Sequence, residues 1–208
     1  MHTNINQKEK SKQEMKTDII LSGVGGQGIL SIAAAIGEAA LEEGLYMKQA
    51  EVHGMSQRGG DVQSNLRLSD SPIASDLIPL GHADLIISLE PMEGLRYLPY
   101  LSKEGWLVTN SKPFVNIPNY PTPDAIEAEL AKLPHKVVFD VEEIAKDAGS
   151  ARAANIVLLG ASAPFLGIEY AKIEAGVRRI FARKGEEVVA MNLKALKAGY
   201  DVAQGNAK

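Results

Sequence analysis

The chain has 208 residues, 45% apolar and 23% charged, which predicts one domain with a substantial hydrophobic core. Cysteine is absent, which excludes disulfides, thiolate zinc sites, cysteine nucleophiles and iron–sulfur clusters held by this chain's own thiolates. The formal net charge of −4 provides no basic excess to draw the chain onto nucleic acid or an anionic membrane. The four histidines are not spaced as metal ligands on a helix, so a self-contained zinc or iron enzyme is not expected.

The N-terminal residues 1–15 are polar and lack the apolar run of a signal peptide, and no later stretch has 18 consecutive apolar residues. We therefore expect a disordered tail over 1–15, one ordered domain over 16–203, a short tail over 204–208 and a cytoplasmic location. Ordered patterning begins directly after Met15, so Met1 and Met15 are both compatible with the natural start.

The first third of the chain predicts strands around one helix. An apolar run over 18–22 predicts a buried strand, and from residue 29 apolar side chains recur at helical spacing until Gly44. Residues 45–52 predict a second strand, and strict alternation over 61–68 predicts a third with one wetter face. The loop between these two strands is too short for a crossover helix, so they should be antiparallel or lie in different layers.

The remainder continues the alternation of strands and helices. Strands are predicted over 84–88, 106–109 and 136–139, with helices over about 91–101 and from the N-cap Thr122 to about 133. The last third carries three helical apolar stripes. The sequence therefore predicts a single Rossmann-like α/β domain, with a mostly parallel sheet, at least one antiparallel strand and a helical C-terminal third.

A glycine-rich turn, Gly-Val-Gly-Gly-Gln-Gly over 23–28, joins the first strand to the first helix. Glycines allow a tight turn and a close approach to phosphate, and a helix N-terminus presents N–H groups to an anion. Glu51, ending the second strand, could then bind a ribose. Alternatively, the glycines only permit the turn and close packing, while Ser22 and Gln27 donate to a carboxylate or to a partner's backbone.

A second loop, His-Gly-Met-Ser-Gln-Arg-Gly-Gly over 53–60, gathers an imidazole, a hydroxyl, an amide and a guanidinium. If strands one and two run parallel, this loop lies beside the glycine turn. Arg58 can then bind a carboxylate or phosphate bidentately, Gln57 can orient a carbonyl, and His53 is a candidate acid or base. The alternative is that these side chains only cap backbone groups.

Three further polar residues have simpler expected roles. Glu90 follows a buried strand and should cap the next helix, with ligand binding as the alternative. Asn155 opens an apolar helical face and should be a packed amide that bonds to backbone, with a ligand group as the alternative. Lys112 follows a strand and should be solvated, with an anion contact as the alternative.

The two glycine-rich segments carry a resemblance when taken together. They read ILSGVGGQGI over 20–29 and HGMSQRGG over 53–60, and ADLIISLEP over 83–91 and NIVLLGA over 155–161 follow them. The combination resembles the gamma-type domain of the 2-oxoacid:ferredoxin oxidoreductases, in the form found in members that oxidise indolepyruvate. The resemblance extends from about Lys16 to Val202.

This resemblance implies thiamine-diphosphate-dependent oxidative decarboxylation of a 2-oxoacid, here an arylpyruvate such as indolepyruvate, to an acyl-CoA with reduction of ferredoxin. It implies that a large (alpha) subunit carries thiamine diphosphate, Mg and the iron–sulfur clusters. This chain would then be a small subunit with no catalytic residue of its own, inactive in isolation, with coenzyme A possible at the interface. The implied cleft-facing residues are Gly23, Gly25, Gly26, Gly28, His53, Gln57, Arg58 and Gly59.

Two other functions are compatible with the same residues. The glycine turn alone would suit a stand-alone module that binds a nucleotide or coenzyme A, although the resemblance argues against independent binding of NAD or FAD. His53 and Arg58 alone would suit a different enzyme that uses them directly. The sequence does not select a particular 2-oxoacid or a subunit stoichiometry, because the pocket is expected to be shared with another chain.

Overall fold

The computed structural model describes residues 15–53 and 59–206. Six strands form one sheet: β1 (Lys16–Val24), β2 (Tyr46–His53), β3 (Asp61–Ser69), β4 (Ala83–Ser88), β5 (Leu101–Asn110) and β6 (Lys136–Phe139). The described residues also form seven α-helices: α1 (Ile29–Glu42), α2 (Pro91–Arg96), α3 (Pro123–Ala131), α4 (Val141–Ala148), α5 (Ala154–Ser162), α6 (Tyr170–Phe181) and α7 (Glu186–Asn206).

The strand order is β2-β3-β1-β4-β5-β6. Strands β1, β4, β5 and β6 pair in parallel, whereas β3 is antiparallel to both of its neighbours, β1 and β2. The predicted mostly parallel sheet is confirmed, and of the two arrangements expected for the second and third strands, antiparallel pairing is the one observed. Because β3 lies between them, β1 and β2 run in the same direction without touching.

Helices cover both faces of the sheet, since alternate side chains of a strand point to opposite faces. Ile19 and Leu21 of β1 belong to the larger core, which includes residues of α1, α4, α5, α6 and α7. Ile20 belongs to a smaller core on the other face, together with Ile126 and Leu130 of α3. The molecule is therefore a three-layer α/β fold, in which most of the helical C-terminal third lies on one side.

Helix α5 is surrounded by the rest of the fold, and residues 155–162 are all buried. A helix that is apolar on every side belongs in a core. Two glycines bring α7 against it: a Cβ at Gly160 would lie 2.0 Å from the Leu196 carbonyl oxygen, and one at Gly199 would lie 1.8 Å from that of Val157. Backbone therefore packs directly on backbone between α5 and α7.

Several element boundaries differ from the predictions, and four of them affect the limits of the domain or of its elements most. Helix α2 ends at Arg96 rather than near 101, and a 3₁₀ turn that contains Pro99 follows it, because proline cannot continue an α-helix. Strand β5 therefore begins at Leu101, five residues earlier than predicted. Met15 pairs with Asp70 through two hydrogen bonds, and α7 reaches Asn206, past the expected domain boundary at 203.

Residues 1–14, the rest of the expected N-terminal tail, lie outside the described residues. Within residues 15–53 and 59–206, no helix combines the length and the apolar content needed to cross a membrane.

Candidate functional site

The candidate site lies at the edge of the sheet where β1, β4 and β5 end. Gly28 caps α1 with a left-handed backbone at φ +90°. Its carbonyl oxygen accepts a hydrogen bond from Asn155 Nδ2 at 3.2 Å, and a Cβ at position 28 would lie 2.7 Å from that nitrogen. The expectation that Asn155 bonds to backbone is confirmed. Glycine is required here both by the backbone conformation and by the contact with α5.

Gln27 holds the glycine turn together from inside. Its Oε1 accepts a hydrogen bond from the Val24 N–H at 2.7 Å, and its Nε2 donates to the Leu89 carbonyl at 3.3 Å. Both groups of the amide are therefore engaged within the chain, while Gln27 also lines the cleft described below. Ser22 is fully buried, so its hydroxyl does not reach a partner's backbone.

The second loop returns beside the glycine turn. Gly25 donates its N–H to the Gly60 carbonyl at 2.9 Å, and Gly59 donates to the Gly25 carbonyl at 3.4 Å. The predicted proximity of the two loops is thereby confirmed. The side chain of His53, at the end of β2, and residues 54–58, which include Gln57 and Arg58, lie outside the described residues.

A third segment, residues 111–121 between β5 and α3, completes this edge, and we call it the strap. Asn116 of the strap donates from Nδ2 to the Gly59 carbonyl at 2.8 Å. Phe114, Val115 and Ile117 of the strap expose much of their side chains. The sequence indicated only Lys112 in this segment and not the contact of Asn116, because the residues around Asn116 carry no periodicity and no motif.

Glu90 links the strap to α2. One of its carboxylate oxygens, Oε2, accepts the Glu93 N–H at 2.8 Å, which confirms the predicted cap of the helix. The other, Oε1, accepts hydrogen bonds from the Phe114 N–H, at 3.3 Å, and from the Tyr120 hydroxyl. Glu90 is fully buried and both oxygens are engaged within the chain, so the structure favours the capping role over the ligand role.

The start of β3, directly after the second loop, is fixed to α2 by a polar network. The Tyr97 hydroxyl donates to Asp61 Oδ2 at 2.8 Å, and Arg96 donates to both carboxylate oxygens of Glu93, at 2.7 and 3.3 Å. Burial raises the pKa of Glu93, and the neighbouring Asp61 carboxylate adds to this effect against the opposing Arg96. Burial, with the bond to Asp61, also raises the pKa of Tyr97, which keeps its hydroxyl a donor.

A cleft of about 420 Å³ opens on the α1 side of this edge, between the glycine turn, α4 and α5. Gly26 lines it, and a Cβ at that position would meet nothing within 4 Å. Lys146 and Arg152 also line it, together with one acidic residue, Glu142, so that two cations and one carboxylate border the cleft. Such a cleft can receive an anionic ligand, since cations and the N–H groups of a helix start both attract negative charge.

Two predicted ligand residues lie elsewhere. Glu51 is exposed on the edge strand β2, and its register partner Ser64 separates it from Leu21 of β1. It therefore stands two strand spacings, roughly 10 Å, from the β1 backbone, which contradicts the predicted ribose-binding role. The Lys112 amine is mostly exposed, 3.5 Å from Asp140, as expected for a solvated lysine. Among the described residues no group of acidic and histidine side chains is arranged to hold a metal ion.

Comparison with known proteins identifies the family. Residues 18–202 match the family model described as Pyruvate ferredoxin/flavodoxin oxidoreductase. The chain belongs to this family. A relative from Archaeoglobus fulgidus named Indolepyruvate oxidoreductase subunit IorB is 40% identical over 201 residues, covering 91% of this chain and 96% of the relative. A relative of the same name from Thermococcus kodakarensis is 35% identical over 201 residues, covering 90% and 96%.

The fold is similar to that of a solved structure. A structure described as 2-oxoglutarate:ferredoxin oxidoreductase from Magnetococcus marinus, with 2-oxoglutarate, coenzyme A and succinyl-CoA bound, superposes with a TM-score of 0.73. The match covers 91% of this chain and 31% of that chain, at 22% identity. At this identity the likeness concerns the fold alone.

Proposed function

We propose that this chain is the small subunit of a thiamine-diphosphate-dependent 2-oxoacid:ferredoxin oxidoreductase, acting on an arylpyruvate and most specifically on indolepyruvate. The observation that carries the proposal is the 40% identity with a relative named as an indolepyruvate oxidoreductase subunit, 96% of whose length is matched. The product is the corresponding arylacetyl-CoA, and the electrons pass to ferredoxin.

The absence of cysteine supports a division of labour between subunits. A chain without thiolates cannot ligate an iron–sulfur cluster through cysteine, so the clusters belong to the large subunit, together with thiamine diphosphate and Mg. Thiamine diphosphate, when bound, supplies the carbanion chemistry of decarboxylation. The residues of this chain bind and orient, and none of them is assigned a bond-breaking role.

Coenzyme A is the ligand that we assign to the cleft beside the glycine turn, at the interface with the large subunit. Its phosphates suit Lys146, Arg152 and the open backbone at Gly26. Gly25 and Gly59 lie next to the cleft in the chain or in space rather than in its lining, through Gly26 and the bond between Gly59 and Gly25. They stay predicted contacts, as do His53, Gln57 and Arg58 of the second loop. Gly23 and Gly28 would act indirectly: a Cβ at either one would meet the chain's own side chains, so they shape the turn.

The proposal is tested by anaerobic co-expression with a candidate large subunit, with an affinity tag on one chain. We expect the two chains to co-elute, the complex to show the visible absorption of iron–sulfur clusters, and the isolated small chain to be colourless and inactive. Chains that never co-elute, together with a large subunit that is fully active alone, would refute the proposal. Turnover of a 2-oxoacid by the isolated chain would instead support direct use of His53 and Arg58.

A further inference from the structure

The strap is anchored on both sides of Asn116 by one buried carboxylate. Phe114, two residues before it, and Tyr120, four residues after it, both donate to Oε1 of Glu90. Glu90 is itself fixed as the N-cap of α2. The backbone on either side of Asn116 is therefore tied to the body of the domain, and the position of its side-chain amide is set by these anchors.

The side chain of Asn116 links the anchored strap to Gly59, near the end of the second loop. Its Nδ2 donates to the Gly59 carbonyl at 2.8 Å, while the Gly59 N–H donates to the Gly25 carbonyl on the opposite side. Gly59 is thus held between the strap and the glycine turn, with a left-handed backbone at φ +77°. Because Gly59 is hydrogen-bonded to the strap on one side and to the glycine turn on the other, its distance from the glycine turn is fixed.

We infer that Asn116 is a positioning residue, which holds Gly59 against Gly25 of the glycine turn and thereby fixes the adjacent Gly26, a residue that lines the coenzyme A cleft. It touches no reacting atom, and it acts through Gly59. The inference rests on the proposed function for the identity of the ligand. The hydrogen bonds that support the positioning role all form within this chain, so they do not depend on the identity of the ligand.

Asn119 offers a matched control on the same strap, because it is exposed and has no side-chain hydrogen bond among the described residues. Asn116→Ala and Asn116→Asp should be compared with Asn119→Ala and Asn119→Asp. In the isolated chain, we expect amide hydrogen exchange at Gly25 and Gly59 to accelerate about tenfold in the two Asn116 variants, the effect of one lost hydrogen bond. The Asn119 variants should leave exchange and the unfolding temperature unchanged.

In the assembled complex, the Asn116 variants should raise KM for coenzyme A about tenfold and leave KM for the 2-oxoacid and kcat nearly unchanged. A purely structural role would not produce this split. Unchanged exchange at Gly25 and Gly59 would overturn the inference, as would faster exchange with unaltered KM for coenzyme A. A large subunit that is fully active without the wild-type small chain would instead show that the proposed function is wrong, so the two failures are distinguishable.

Discussion

Asp18 lies in β1 with its carboxylate fully buried, and two cations neutralise it. Arg67 donates to both of its oxygens, at 2.7 and 3.0 Å, and Lys16 lies 2.8 Å away. Arg67 also donates to the carbonyls of Ser75 and Leu77, so the same guanidinium ties the loop after β3 to the sheet. A buried carboxylate that loses its main partner is costly, because its charge is no longer compensated.

We expect Arg67→Met to lower the free energy of unfolding by about 3 kcal/mol, with the residual charge of Lys16 limiting the loss. Urea unfolding followed by circular dichroism measures this change. Lys132→Met is the matched control, because its ion pair with Glu129 is exposed on both sides and should contribute under about 1 kcal/mol. Equal losses in the two variants would contradict this account of the Asp18 pair.

Glu93 predicts a pH dependence of stability. A carboxyl whose pKa is raised by folding binds more protons in the native state, so its favourable contribution is present below its ordinary pKa of 4.5. That contribution is lost as the pH rises through the raised value. We expect Glu93→Gln to reduce the fall in unfolding free energy as the pH rises above 4.5. The exposed Glu127→Gln is the control, and an identical pH profile in the wild type and Glu93→Gln would refute the prediction.

At the residue scale, the sequence predicted those roles that depend on near neighbours in the chain. Glu90 caps the helix that begins at the next residue, by accepting the N–H of Glu93. For Asn155 the sequence predicted a bond to backbone, but not that its partner would be Gly28, 127 positions away. The bond from Asn116 to Gly59 joins residues 57 positions apart, and no local pattern records such a pairing. The internal role of Gln27 was missed for a different reason: its partner Leu89 is a backbone carbonyl that any residue type could supply.

Helices α5 and α7 show how an element pair can depend on glycine. A methyl group at position 199 would overlap the Val157 carbonyl, so the helices would have to separate along a fully buried surface. We expect Gly199→Ala to lower the free energy of unfolding by about 3 kcal/mol. Thermal and urea unfolding measure the loss.

The same helix contains its own control. A Cβ at Gly205 would meet nothing within 4 Å, and alanine is the better helix former, so Gly205→Ala should be neutral or stabilising by up to about 1 kcal/mol. A Gly199→Ala protein as stable as Gly205→Ala would show that the two helices separate without cost, against the close packing described above.

The sequence predicts which segments form the strands, but it does not predict the order of the strands across the sheet. Hydrophobic periodicity identifies the six strands. It also shows that the loop between β2 and β3 is short, and these two strands pair antiparallel. Periodicity does not indicate which strands lie beside β3, and in the structure β3 lies between β1 and β2. That insertion displaces Glu51 from the glycine turn, and it explains why a sequence motif typical of dinucleotide binding occurs here without its acidic partner.

At the scale of the whole molecule, the cleft predicts a preference among ligands. We expect coenzyme A to raise the unfolding temperature of the chain, and NAD and FAD to have no effect, since Glu51 is not placed to bind their ribose. A ligand at 100 times its Kd stabilises the native state by about 2.7 kcal/mol. Differential scanning calorimetry across a ligand titration measures the shift.

The cleft cations provide the control for that measurement. Arg152→Ala should weaken the response to coenzyme A, whereas Lys132→Ala, on a remote surface of α3, should not. A response to NAD comparable with that to coenzyme A would favour a stand-alone nucleotide-binding module over the proposed subunit.

The contact between α5 and α7 also constrains how the chain reaches its native state during synthesis. Residues 155–162 form the most enclosed helix, yet the glycine surface that covers them, around Gly199, is translated some forty positions later. Until α7 has left the ribosome, it cannot cover the apolar side of α5, and the core on that face of the nascent sheet stays exposed. The growing chain is thus most prone to aggregation just before α7 emerges, and chaperones that bind apolar segments would act at that stage.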